Sequence, residues 1–234
     1  MLIIPIYAKV SIYRGLLMAL ALFDLDKTLL GGDSDFLWGE FLSEIGAVDV
    51  NNYQTQNQKF FDDYALGKLD IVEYLEFCLS PLADNSIKQL NKWHQQFMLE
   101  KIQPIFLETA KKVVDAHKKN GDRAVVITAT NSFVTRPIAK IYGIDDLLAT
   151  EPEVIAGKFT GKVSGEPCFQ IGKVHKLKQW CKENNESLNG AYFYSDSHND
   201  LPLLELVDNP IVVHGDNLLL AIAKQKKWQC MDWT

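Results

Sequence analysis

The chain has 234 residues, of which 47% are hydrophobic and 23% charged, with a formal net charge of -6 at pH 7. That length accommodates one sizeable core and a smaller accessory domain, since domains run to roughly 100–200 residues, and the composition excludes disordered, fibrous and membrane classes. The acidic balance argues against a nucleic-acid partner, which would need clustered Lys and Arg.

Residues 1–17 are apolar but interrupted by Lys9 and Arg14, and they lack the charged start and small-residue cleavage site of a signal peptide. We read them as an N-terminal extension, with Met18 as the native start, because the first obvious core element follows at once. The apolar stretch from Leu16 to Phe23 falls far short of the roughly 20 residues needed to cross a bilayer, so no membrane association is expected. The cysteines Cys78, Cys168, Cys181 and Cys230 are widely spaced with no CxxC pair. They suggest neither a zinc site nor a disulfide framework, and a cytoplasmic location is expected.

Leu20 to Phe23 is a short apolar run that ends at a polar cluster, as are Ala124 to Ile127 and Ala191 to Tyr194 further on. Each reads as a buried parallel strand, and Pro210 to Val213 adds another. Helical patterns at Ile105 to Lys119, Phe133 to Tyr142 and Val174 to Glu183 fill the gaps, which predicts an α/β fold. Between the first two strands lies an interval much longer than one crossover helix. Phe36, Leu37, Phe41, Leu42 and Ile45 repeat there at helical spacing, as do Phe60, Phe61, Tyr64 and Ala65. Ile71, Leu75 and Leu79 follow the same rule, then Leu90, Trp93, Phe97 and Met98. The expected organisation is a core of residues 18–32 and 104–234 with an inserted helical domain at 33–103. Ser80, Pro81 and Asp84 to Ser86 are expected to break its third helix from its fourth. From Ala149 to Cys168, Thr, Val, Gly and Pro residues predict a hairpin or short extra strands at the sheet's margin. Lys224, Lys226 and Lys227 read as a solvated helix face.

Asp24-Leu25-Asp26-Lys27-Thr28 sets two carboxylates two positions apart directly after the first strand, at the sheet end where open α/β folds hold ligands. Paired carboxylates repel unless a cation lies between them or one is protonated. A plain surface turn fits the same residues equally well. The second strand runs into Thr128-Ala129-Thr130-Asn131-Ser132, where a helix start suits a phosphate; an ordinary N-cap by Thr130, Asn131 or Ser132 is the competing reading. Gly172-Lys173 offers a cation, although most lysines are merely solvated. Ser195-Asp196-Ser197-His198-Asn199-Asp200 adds two carboxylates four residues apart. Asp24, Asp26 and Asp196 form an oxygen-rich set suited to magnesium.

In that order, Asp24-x-Asp26-x-Thr28, Thr128, Lys173 and Asp196 with Asp200 resemble the motifs of the haloacid dehalogenase superfamily, and the insertion resembles the helical cap of its phosphoserine phosphatase-like branch. The resemblance covers nearly everything from Met18 onward and implies a Rossmann-like parallel sheet with an inserted all-helical cap. It further implies magnesium-dependent phosphoryl transfer from a small phosphomonoester. Asp24 would be the nucleophile, and Asp26 the general acid and then base, giving its backbone carbonyl to the metal. Thr128 and the Ala129 N–H would bind phosphoryl oxygens, and Lys173 would tie Asp24 to the phosphate. Asp196 would ligate magnesium, with Asp200 behind it and Asn199 orienting Asp196.

Phosphoserine phosphatases usually carry Ser where this chain has Lys27, and Ser-Gly-Gly where it has Thr128-Ala129-Thr130. The run Gly31-Gly32-Asp33-Ser34-Asp35-Phe36-Leu37-Trp38 resembles branch members assigned to histidinol phosphate, which we rank ahead of phosphoserine. Asp33 and Asp35 would meet a substrate ammonium, or one of them would only cap the first cap helix. Trp38 reads as core, His198 as a solvated loop histidine, and Gly31-Gly32 as either a hinge or a tight turn. Transfer to an alcohol instead of water, and a non-catalytic binding protein on the same fold, remain open alternatives. The sequence carries no sign of oligomeric state.

Overall fold

The computed structural model describes residues 18–233. The reading of residues 1–17 as an extension therefore lies outside the described residues. The strands are, in chain order, β1 (Leu20–Phe23), β2 (Arg123–Asn131), β3 (Asp146–Thr150), β4 (Pro152–Ile155), β5 (Lys158–Val163), β6 (Tyr192–Ser195), β7 (Asn209–Val213) and β8 (Gln229–Met231). Six of them form a parallel sheet in the order β3-β2-β1-β6-β7-β8. Parallel strands covered on both faces need continuous apolar sequence, and every residue of β1 is buried.

Register explains why the motifs meet. Phe23 lies level with Val126 of β2 and Tyr194 of β6, so the residues that follow each strand leave the sheet at one edge. The chain winds to one side of β1 through β2 and β3 and to the other through β6, β7 and β8. Such a switch of direction opens a crevice at the carboxyl ends of the strands. Two apolar layers flank the sheet. One contains Phe23, Val126, Tyr194 and Val213, the other Leu22, Ile127, Phe193 and Leu177.

Between β1 and β2 stand four helices, α1 (Ser34–Glu44), α2 (Val50–Ala65), α3 (Ile71–Asp84) and α4 (Ile87–Phe97). Each starts where a short polar side chain accepts backbone N–H groups at its N-terminus: Asp33, Asp49, Asp70 and Ser86 respectively. The expected break at Ser80-Pro81 does not occur, because α3 runs through both. Proline leaves the carbonyl one turn earlier without its N–H, and Ser80 Oγ donates to that Phe77 carbonyl at 2.9 Å. Only the Asn85-Ser86 part of the predicted break survives.

The chain returns to the core through a π-helical turn at Met98–Ile102 and a 3-10 turn at Gln103–Ile105. Helix α5 (Glu108–Lys119) consequently begins three residues later than the predicted Ile105. Beyond β2 come α6 (Ser132–Ile141), α7 (Ile171–Asn184), α8 (Leu201–Leu204) and α9 (Asn217–Lys226). Lys224 and Lys226 sit exposed in the last turn of α9, with Lys227 at its end, as expected.

The predicted hairpin exists as β4 and β5, but not as a margin of the main sheet. It is a separate antiparallel pair that packs on α3. Gly161, at φ +80°, allows the approach, since a Cβ there would lie 3.3 Å from the Ala83 Cβ. Phe159 meets Phe133 edge-on with ring centroids 5.6 Å apart, so the hairpin's apolar side serves the layer below the cap helices.

Trp233 returns to the core near the carboxyl terminus, stacks on Tyr194 at 5.7 Å and donates its indole N–H to the Thr28 carbonyl at 2.9 Å. Trp233→Phe keeps a ring there but orphans that buried carbonyl, which should cost about 1–3 kcal/mol. Urea unfolding checks this; a change within about 0.5 kcal/mol, the scatter of neutral substitutions, would show that the bond contributes nothing.

Candidate active site

Asp24 follows β1 directly and is buried. Its backbone N–H donates to the Tyr194 carbonyl at 2.9 Å, continuing the strand ladder and aiming the carboxylate into the crevice. Lys173, in the first turn of α7, reaches it: Nζ donates to Asp24 Oδ1 at 2.7 Å and to Asp200 Oδ2 at 2.8 Å. Lys173 is only 2% exposed, so its ammonium must be paired where it stands. Asp200 is fixed in turn by Ser195 Oγ at 2.7 Å. Burial opposes the charge on Lys173, but Asp200 and Asp24 outweigh it and hold the ammonium well above the usual lysine range.

Asp26 is gripped from two elements. The backbone N–H of Ser34, first residue of α1, donates to Oδ1 at 2.6 Å, and Thr130 Oγ1 donates to Oδ2 at 2.8 Å. Burial, then Asp33, pushes the Asp26 carboxyl up to about 7 against the pull of these bonds. Asp24 is likewise raised to about 7, by burial first, with Lys173 pulling it down. Burial thus lifts both carboxyls, and one raised toward neutrality and held by neutral donors, as Asp26 is, suits proton transfer.

Thr128 is buried at the end of β2, and its Oγ1 receives the Thr130 N–H at 3.2 Å. Thr128, Ala129 and Thr130 line the same cavity as Asp24, Asp26 and Asp196. The N-cap of α6 is Asn131, whose side chain accepts from Val134 N at 3.1 Å, so Thr130 is left to hold Asp26.

Asp196 faces the cavity after β6, with Thr28 Oγ1 donating to its Oδ1 at 3.4 Å. Its carboxyl is pushed well above the usual range, chiefly by burial, then by Asp24 and Asp200. That is the electrostatic signature of a place for a cation. Among the described residues no three His, Cys, Asp or Glu side chains converge as a ready-made ligand set. The triple of Asp24, Asp26 and Asp196 is therefore not a triple of side chains, because the Asp26 carboxyl is occupied by Ser34 and Thr130. Two carboxylates and a main-chain carbonyl still suit magnesium, an oxygen-seeking ion that keeps several waters.

Asn199 does not orient Asp196. It accepts from Gln170 Nε2 at 3.1 Å and donates to the Tyr64 carbonyl and to Ser197 Oγ, both at 3.3 Å. It thereby joins the Asp196 loop to the end of α2, where Tyr64 OH also donates to Ser197 Oγ at 3.3 Å. His198 is not solvated: its ring is half-buried and Nδ1 pairs with Asp216 at 2.8 Å. Gly31 and Gly32 form a tied turn, the Gly31 N–H donating to Ile105 O at 2.8 Å and Gly32 O receiving the Lys27 N–H at 2.9 Å. Trp38 is core, 1% exposed.

Of Asp33 and Asp35, the first takes the capping role, and both line the cavity. Asp33 Oδ1 caps α1 by accepting the Phe36 N–H at 3.0 Å. Asp35 turns into the cavity, where it receives the Tyr74 hydroxyl and, at 3.5 Å, Asn131 Nδ2. Tyr74, Tyr64 and Phe169 also line the cavity. Sequence reasoning missed them as site residues because Tyr64 and Tyr74 look like any amphipathic helix position, and Phe169 lies outside the helices, just before α7. The enclosed space measures about 60 Å³, enough for a few waters.

The haloacid dehalogenase-like hydrolase family matches residues 21–205. A histidinol-phosphatase of Neisseria meningitidis serogroup C is 41% identical over 218 residues, covering 92% of this chain and 98% of its own. A phosphoserine phosphatase of Mycobacterium tuberculosis is 27% identical, covering 93% of this chain and 71% of its own. Among solved structures, a Bordetella pertussis Tohama I protein of unknown function superposes with TM-score 0.88 at 42% identity, covering 93% of this chain and 99% of that one. A substrate-bound phosphoserine phosphatase shares the fold with TM-score 0.68 at 21% identity, covering 92% and 93%. The chain belongs to the haloacid dehalogenase-like hydrolases, and its full-length likeness to a phosphatase makes it an enzyme of the phosphatase kind.

Two outcomes are expected from this geometry. A Cβ on Gly172 would stand 2.1 Å from the Pro167 carbonyl oxygen, so Gly172→Ala must displace the start of α7 and the neighbouring Lys173. Phosphatase activity should fall by at least about tenfold, since misplacement of about 1 Å can cost a hundredfold; undiminished kcat would refute the placement. The second concerns pH. Asp35 is raised from 3.8 to about 7 by burial, against its bond from Tyr74. The folded state therefore binds a proton that the unfolded state releases, and the stability this group contributes is complete below 3.8 and lost as pH rises through about 7. Asp35→Asn should make the decline in stability between pH 4 and 7 shallower, read by chemical denaturation across that range; an unchanged slope would contradict it.

Proposed function

We propose that the protein is a magnesium-dependent phosphomonoester hydrolase working through an aspartyl-phosphate, with histidinol phosphate favoured over phosphoserine as substrate. The observation that carries this reading is the buried Lys173 bridge from Asp24 to Asp200, beside an independently held Asp26. The preference for histidinol phosphate is supported by the 41% identical relative of that name.

An Asp24 carboxylate oxygen attacks phosphorus as the bond from phosphorus to the ester oxygen breaks, and Asp26 gives its proton to the departing alkoxide. Asp26, now ionised, takes a proton from the water that attacks the same phosphorus, releasing inorganic phosphate and restoring the Asp24 carboxylate. Lys173 favours the ionised form of Asp24 against burial, orients it and screens the phosphoryl group, while Thr128 Oγ1 and the Ala129 N–H donate to its oxygens. Magnesium held by Asp24, the Asp26 carbonyl and Asp196 would supply the positive charge that lets two anions approach. Residues 33–103 act as a cap that must swing aside to admit substrate, given the narrow cavity beneath it. The buried free thiols of Cys78, Cys168 and Cys181 suit a cytoplasmic location.

Phosphate release should be measured from histidinol phosphate, phosphoserine, sugar phosphates and nucleotides, with and without magnesium. Magnesium-dependent turnover is expected, and Asp24→Asn should reduce it by about three orders of magnitude or more. Magnesium should also raise the melting temperature of the wild type and not that of Asp196→Asn. Absence of release from every ester would refute hydrolysis, and equal magnesium shifts in both proteins would remove Asp196 from the metal.

A further inference from the structure

The cavity has two chemically different ends. Asp24, Asp26, Asp196 and the Thr128–Thr130 segment form the sheet end, where a phosphoryl group is handled. The helices between β1 and β2 contribute Phe36, Phe60, Phe61, Tyr64 and Tyr74, with Phe169 from the core, and of these Tyr64 reaches back to Ser197 beside Asp196. Set into that aromatic wall is the carboxyl of Asp35, 8% exposed. It is held from two directions, by the Tyr74 hydroxyl from α3 and by Asn131 Nδ2 from the start of α6. Held this way, the carboxyl stays at the cavity wall.

The cation inventory is lopsided. Among the described residues lining the cavity, Lys27 is the only base, and it is already engaged. Its Nζ lies 3.9 Å from Asp33 Oδ2 and 4.3 Å from the centre of the Phe61 ring. Lys173 lies behind Asp24 and is shared between Asp24 and Asp200. No arginine lines the space. A substrate carboxylate in the cavity would thus stand beside Asp33 and Asp35, with Lys27 the one cationic side chain among the described lining residues to offset them. Like charges in a partly desolvated pocket repel. A substrate cation instead gains a fixed counter-charge and aromatic faces that attract it.

We propose that the cap end of this cavity is a charge filter that admits phosphomonoesters of cationic amino alcohols and turns away their carboxylate-bearing counterparts, with Asp35 receiving the cation. This inference rests on the phosphatase reading above and narrows it to a substrate class. Histidinol phosphate belongs to the class, having an ammonium and an imidazole but no carboxylate; phosphoserine does not. A cation beside Asp35 also relieves the burial that holds its carboxyl at about 7, so binding of substrate and ionisation of Asp35 reinforce one another.

The test compares kcat/KM for esters that differ by one group, with magnesium present. O-phosphoethanolamine against O-phosphoserine isolates the carboxylate, O-phosphoethanolamine against ethylene glycol monophosphate isolates the amine, and histidinol phosphate adds the ring. Phosphoethanolamine should exceed both phosphoserine and glycol phosphate by at least about tenfold, the equivalent of about 1.4 kcal/mol, and histidinol phosphate should exceed all three. In Asp35→Asn, with folding checked by thermal melting, the amine-to-glycol ratio should collapse toward one. Phosphoserine turned over as well as phosphoethanolamine would overturn the filter without needing any variant, and so would an unchanged ratio in Asp35→Asn. p-Nitrophenyl phosphate separates the two levels of failure. If it is hydrolysed while the amine makes no difference, the chemistry stands and the filter falls; if no ester releases phosphate, both fall together.

Discussion

A buried ammonium cannot stand alone, and most of this structure's site geometry follows from where Lys173 puts its charge. With Asp24 on one side and Asp200 on the other, at 2.7 and 2.8 Å, the ion is neutralised only if β1, β6 and α7 hold fixed relative positions. Buried ion pairs of this kind are poor sources of stability, because desolvation offsets most of the attraction. Their value here is geometric. The pair fixes the Asp24 oxygens, and Ser195 Oγ fixes Asp200 behind it at 2.7 Å. The chain also accepts a close approach to make room, with Gly172 standing against the Pro167 carbonyl.

Asp24 and Asp26, two residues apart in sequence, are given different surroundings. Asp24 is tied to a cation, whereas Asp26 is tied to neutral donors, the Ser34 N–H and the Thr130 hydroxyl. A carboxylate beside an ammonium is favoured as the ion, while one held by neutral donors under burial keeps its proton more readily. The two carboxyls are thus distinguished by their partners and not by residue type, which is how paired carboxylates elsewhere acquire separate roles, while burial raises both.

Much of this was legible in the sequence. Apolar runs ending in Asp24, Thr128 and Asp196 located the strands of the site, and their common edge followed from a parallel sheet. What was not legible depended on tertiary partners. Ser80 and Pro81 read as a helix break, yet α3 continues because a serine hydroxyl takes the acceptor that proline abandons. Strands β3 and β8 border the sheet and, unlike β1, carry mixed polar and apolar residues instead of a continuous apolar run. His198 looked solvated because nothing local reveals Asp216, eighteen residues away. Tyr64 and Tyr74 carried only the helical spacing of core residues, and their hydroxyl partners lie on other elements.

The first turn of α1 concentrates the consequences. Asp33 caps the helix, the Ser34 N–H holds Asp26, and Asp35 lines the cavity, so three consecutive residues join the helix start to the site. A helix N-terminus is a favourable neighbour for an anion, which makes ionised Asp26 easier to tolerate once it has surrendered its proton. The same turn therefore ties the first helix of the inserted segment to the Asp26 carboxyl. Specificity can then diverge through the cap wall around Asp35 while Asp24, Lys173 and Asp200 remain untouched, because the two ends of the cavity share a helix turn but not a residue.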